Sequence, residues 1–262
     1  MACLSGNHRE MVTCAKTDTG LKRKENEDHF LVIDDHDERY DTGSLGMLFA
    51  VADGISGHKG GSKASRMACE GLLDYYTERS NSVNAKNFTE SRLKALEDVF
   101  HRVHMKIYGY SLKVKEYEGM GTTLSALILL NDIALIAHVG DSRIYRLRNH
   151  CLEKLTHDHT MAQLSVEMGY IKQEDAENHP QRHILMDVVG QGLDEVRTRM
   201  EKVMKGDIYL LCTDGLHHMV PDDRIKEILE AFHPEDGACD RLVREAIERG
   251  GRDNITVIAV HV

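Results

Sequence analysis

Five acidic positions in this chain stand where apolar runs meet small or polar residues. "FAVADG" ends on Asp53-Gly54, "AHVGDS" on Asp141-Ser142 and "YLLCTDG" on Asp214-Gly215. Asp253-Asn254 opens "ITVIAV", and Glu27-Asp28 precedes "HFLVI". Taken singly, each is an ordinary turn signal, because Asp-Gly and Asp-Asn pairs favour turns. Small neighbours also let a ligand approach the backbone. If these strand ends meet, the carboxylates share one pocket and repel one another unless protons or cations neutralise them. An oxygen-rich set of that kind suits Mg²⁺ or Mn²⁺. Spacing along the chain does not show that they meet.

The elements that must carry these acids follow from apolar periodicity. Val12–Thr17, Phe30–Ile33 and Met47–Ala52 have strand patterns. Residues 63–79 and 88–115 have helical spacing, the second with Leu93, Leu96, Val99, Val103 and Ile107 on one face. Strands return at 122–130, 133–139 and 144–147, and then at 196–203, 208–212 and 255–262. Helices are expected at 222–232 and 237–249, and a polar excursion with short helices at 160–192. The short turns imply antiparallel pairing with helices covering the faces, an α+β fold.

Overall composition narrows the function classes. At 262 residues with 41% hydrophobic content and only three prolines, one domain spanning 1–262 is expected. A net charge of −10 argues against nucleic acid or an anionic membrane as partner. The most apolar stretch, 122–139, is split by Asn131-Asp132 into two strand-length runs, which is hairpin chemistry and not a membrane span. Six cysteines without CxxC spacing or a visible signal peptide predict free thiols in a reducing cytoplasm.

Seven segments, in order, carry a resemblance: "TDTGLKRKENED", "FAVADGISGHKGGSKAS", "GMGTTL", "AHVGDSRIYRL", "LTHDHT", "GDIYLLCTDGL" and "GGRDNITVI". Together they resemble the metal-dependent protein phosphatases, the type 2C Ser/Thr phosphatases, in their compact bacterial form. That resemblance implies a four-layer α-β-β-α sandwich with two Mn²⁺ or Mg²⁺ ions at one end. Asp53 is then the ligand that bridges the ions, and Gly54 lends its carbonyl. Asp214 and Asp253 hold one ion, Glu27 supports the other with Asp28 adjoining, and Asp141 holds a third, weaker ion. Arg23 matches the arginine that grips substrate phosphate, which a planar guanidinium can do through two oxygens at once. The implied reaction is direct in-line hydrolysis of phosphoserine and phosphothreonine. Its substrates are phosphorylated proteins, including a cognate Ser/Thr kinase or that kinase's targets, and the expected state is a monomer. Residues 160–192 fall where the family has a substrate-gating flap.

The sequence departs from that family at a few positions and carries other short motifs. Ile55 stands where animal members have a histidine proposed as general acid. His58 either packs its turn or takes that part, and metal-bound water is the other proton source. A different class is a pseudophosphatase, a silent phosphoprotein-binding module with the same fold, but every matched acid is present. Cys3 and Arg9 meet the Cys-x5-Arg spacing of cysteine phosphatases without the strand that loop needs. Two "DTG" triplets, at 18–20 and 41–43, lie too close together for the two lobes of an aspartic protease. His157-Asp158-His159 and His217-His218 lack a third spaced ligand for zinc. Cys212, inside an apolar strand, is expected to pack and not to react.

Overall fold

The computed structural model describes residues 11–55, 60–79, 88–232 and 237–262. Its layering follows from strands that are apolar on both faces. Side chains alternate across a strand, so β3 (Met47–Asp53) and β4 (Leu124–Leu130) present two distinct sets. Phe49, Val51, Leu127 and Leu129 pack with Ile144, Tyr209, Leu211, Ile258 and Val260 of the facing sheet. Leu48, Ala50, Ala126 and Ile128 point the other way, into a core shared with Leu72, Leu96, Val99 and Phe100 of two helices.

One sheet has the order β1 (Val12–Asp18), β10 (Ile255–His261), β9 (Ile208–Cys212), β6 (Arg143–Arg148) and β7 (Cys151–Lys154). The other has β2 (Asp28–Ile33), β3, β4, β5 (Ile133–Val139) and β8 (Arg197–Lys202). All neighbours are antiparallel. Helices α2 (Gly61–Arg79) and α3 (Phe88–Lys113) cover the β2–β8 sheet. The first sheet is covered by α7 (Asp222–Glu230) and α8 (Ala238–Glu248), whose Ile225, Ile228, Leu229, Leu242 and Val243 pack on Tyr145, Leu210, Val257 and Ala259. This is the expected α-β-β-α sandwich, with β4 and β5 forming the hairpin anticipated around Asn131-Asp132.

Several elements were not legible. β7 is an edge strand of four residues, and α1 (Thr42–Leu45) is one turn, capped by Asp41 accepting from the Ser44 amide at 3.1 Å. Within 160–192 the chain forms α4 (Met161–Glu167) and α5 (Gln173–Ala176). It then returns to the body through bridges Thr160–Leu185 and Thr122–Val189.

One cysteine expectation is corrected. Cys14 of β1 and Cys239 of α8 form a disulfide across 225 residues, because the helix packs directly on that strand. Cys69, Cys151 and Cys212 are free, and Cys3 lies outside the described residues. No helix among the described residues is long and apolar enough to cross a membrane.

Candidate active site

The acids meet at one end of the sandwich. β2 begins and β3 ends there, and the antiparallel register sets Asp28 opposite Asp53. Asp53 is fixed through its backbone. Its amide donates to Thr123 Oγ1 at 2.9 Å. Its carbonyl accepts from the Thr123 amide at 2.9 Å and from Thr122 Oγ1 at 2.8 Å. The side chain is thereby left free to join the other acids. Asp28 ties the two sheets together: its Oδ2 accepts from Thr213 Oγ1 at 2.8 Å and Thr256 Oγ1 at 2.7 Å, both from the other sheet's side. Thr213 precedes Asp214, which starts the single turn α6 (Asp214–His217) after β9.

Asn254, fully buried beside Asp253, organises the loop that carries Arg23 and Glu27. Its amide group donates to the carbonyls of Thr19 and Glu25, each at 3.0 Å, and its Oδ1 accepts from the Glu27 amide at 2.9 Å. Arg23 Nη2 then reaches Asp253 Oδ2 at 2.7 Å, with the guanidinium still partly open to solvent.

Electrostatics show how tightly the acids are gathered. Burial pushes the Asp53 carboxyl well above the usual range, and Asp28, Asp214, Asp141 and Asp253 push in the same direction. Burial raises Asp28 to about 7, although the two threonine bonds favour its charged form. Asp141 is raised by burial, then by Asp214 and Asp158, with Arg143 opposing. Burial would raise Asp214 too, but hydrogen bonding and charge from His218, then His183, hold it below the usual range. These groups cannot all ionise without cations.

The oxygen set fits hard divalent ions. Asp28 Oδ1 and Asp214 Oδ1 are buried without a hydrogen-bond partner among the described residues. Gly54 permits the close approach. A Cβ there would press on the Gly61 carbonyl and lie 2.7 Å from the Glu27 carbonyl oxygen, which accepts the Gly54 amide at 3.2 Å. Glu27 Oε1 lies against Gly61 at the start of α2, where a Cβ would be 2.6 Å away.

Asp53, Asp28, Asp214, Asp253 and Arg23 are thus brought together, with Glu27 and Gly54 at the rim. Asp141 lies on the side facing Asp214 and Asp158, at the wall of a cavity of about 270 Å³ lined also by Arg143, Lys154, Arg182 and His218. Asp28 is more central than its adjoining position in the motif suggested. Neither type nor spacing marks Thr213, Thr256 and Asn254 as the residues that hold the acids and their loop. The hydroxyls in "GMGTTL" were visible without a role. His58, Cys3 and Arg9 lie outside the described residues. Cys212 is fully buried with its thiol pushed up by burial, as expected of a packed residue.

Comparisons with known proteins place the chain in a family. A family model described as protein phosphatase 2C matches residues 26–247. The serine/threonine phosphatase Stp of Listeria monocytogenes is 37% identical over 246 residues, covering 94% of this chain and 93% of that protein. PhpP of Streptococcus pneumoniae is 32% identical, with 93% and 94% covered. Among solved structures, the Mycobacterium tuberculosis phosphatase PstP superposes with a TM-score of 0.81 at 32% identity, covering 96% of this chain and 98% of that one. The catalytic domain of PstP in complex with two manganese ions gives 0.78 at 30% identity, with 96% and 97% covered. The chain belongs to the protein phosphatase 2C family of serine/threonine phosphatases.

Proposed function

We propose that this phosphatase hydrolyses phosphoserine and phosphothreonine in proteins by direct attack of water at a centre of two Mn²⁺ or Mg²⁺ ions. The observation that carries the reading is the convergence of Asp28, Asp53, Asp214 and Asp253, from both sheets, into one buried, mutually repelling cluster. Bound ions supply the Lewis acid and the activated water nucleophile. Asp53 would serve both ions, and the Gly54 carbonyl would add an oxygen. Asp214 and Asp253 serve one ion, Glu27 and Asp28 the other, and Asp141 a weaker third. Arg23, held by Asp253 and partly open to solvent, would grip the substrate phosphate. Rigid strand ends keep these oxygens in place, so little reorganisation is needed during turnover.

Residues 1–262 act as one catalytic unit, with 160–192 as a flap over the site. We take the protein as a cytoplasmic monomer acting on a Ser/Thr kinase or that kinase's targets. Nothing in the site favours the silent-module alternative, because each acid of the pattern is present, with Asp28, Asp53, Asp214 and Asp253 clustered and Glu27 and Asp141 beside them. The test compares phosphoserine, phosphothreonine and phosphotyrosine peptides with Mn²⁺ and with chelator. Metal-dependent release of phosphate from the first two supports the reading. Hydrolysis that survives chelation, or that is confined to phosphotyrosine, overturns it.

A further inference from the structure

His217-His218 has no third partner for a transition metal in the sequence, but the fold supplies one. The single turn of α6 places His218 four residues beyond Asp214, with His218 Nδ1 3.2 Å from Asp214 Oδ2. The turn after α5 brings His183 edge-on to His218, with ring centroids 4.5 Å apart. One ligand atom from each of His183, Asp214 and His218 lies within 4.8 Å of the others. The chain just after His183 is anchored by two backbone bonds. The Met161 amide donates to the Ile184 carbonyl at 2.9 Å, and the Met186 amide donates to the His159 carbonyl at 2.8 Å.

We propose that His183, Asp214 and His218 form an inhibitory site for a borderline transition-metal ion, with Zn²⁺ as the type. Two imidazoles and a carboxylate are a zinc-like donor set, unlike the all-oxygen set offered to Mn²⁺ or Mg²⁺. Around a tetrahedral ion with bonds of 2.0–2.1 Å, donor atoms stand ~3.3 Å apart. The Asp214–His218 pair already meets that spacing. His183, exposed on its turn, closes the remainder and gives up only an exposed bond from Arg182 Nε, 3.0 Å long, of small net worth. Water completes the fourth position. The ion would tie the 160–192 segment to α6 beside the clustered acids and engage a carboxylate that the catalytic ions require. The inhibitory half of this inference rests on the role proposed above for Asp214; the binding half does not.

The test titrates metal-free protein with ZnCl₂ against a chromophoric chelator. In parallel, it follows Mn²⁺-supported hydrolysis of p-nitrophenyl phosphate as Zn²⁺ is added, each variant scaled to its own Mn²⁺-only rate. His183→Ala and, as a milder change, His183→Gln should each weaken Zn²⁺ binding by at least about tenfold. The inhibition midpoint should rise by a similar factor. Zn²⁺ affinity and midpoint within about threefold of wild type in both variants would overturn the site, as would a wild type that binds no Zn²⁺. If wild type fails to turn over with Mn²⁺, the phosphatase mechanism falls, while the titration still decides the zinc site.

Discussion

Asp28→Asn should change how the metal-free protein responds to pH. The carboxyl is fully buried and raised from 3.8 to about 7 in the folded state. A carboxyl whose folded pKa is raised binds its proton more tightly when folded. Its contribution is therefore present at acid pH, declines as pH rises past the unfolded value near 4, and is gone above about 7. The size of the shift sets a ceiling of about 4 kcal/mol. For a chain of this length that corresponds to roughly 5–15 °C in Tm. Asn keeps the oxygen that accepts from Thr213 and Thr256, and its amide can donate where Asp28 Oδ1 now faces other acids. The assay is thermal unfolding in chelator between pH 5 and 8. Wild type should lose stability with rising pH, and Asp28→Asn should show a markedly flatter slope. Added Mn²⁺ should restore the wild type by mass action at neutral pH, and the variant less. Equal slopes for the two proteins in chelator would refute the electrostatic reasoning.

Other expectations concern single contacts. Arg23→Ala should raise KM more than it lowers kcat, because a phosphate clamp acts in ground and transition states alike; an unchanged KM in steady-state kinetics removes Arg23 from the substrate site. Asp141→Ala should reduce activity while calorimetry still finds two tight metal sites, and loss of all tight binding would place Asp141 in the core pair. Asp158→Ala removes the buried carboxylate that Arg143 Nη2 meets at 2.7 Å, leaving it the Tyr145 hydroxyl at 2.9 Å and the exposed Glu177 carboxylate at 3.8 Å. A loss of about 3–5 kcal/mol by chemical denaturation is expected.

Much of the fold was readable because its central strands are apolar on both faces. Met47–Ala52 and the pair of runs around Asn131-Asp132 announced buried strands, and the acids that end or begin such strands stood out against them. Register was not readable. β2 looked as though it began at Phe30, since Asp28-His29 is polar. Pairing extends it to Asp28 and puts that residue opposite Asp53. Contacts between distant segments were hidden for the same reason. Cys14 reaches Cys239 only because α8 lies on β1, and His183 reaches His218 only because 160–192 folds back. Thr213, Thr256 and Asn254 are ordinary residues in sequence. Their importance comes from the carboxyls and loop carbonyls that they meet after folding.

The binuclear assignment depends most on Asp53 as the ligand shared by two ions. Asp53→Asn keeps the size and one oxygen but removes the charge. Initial rates of phosphate release from a phosphothreonine peptide with saturating Mn²⁺ should fall by roughly 10³ or more, about 4 kcal/mol of barrier. The variant should remain folded, and chelation of the wild type should reproduce the loss. Near-normal Mn²⁺-dependent turnover by folded Asp53→Asn would contradict the account.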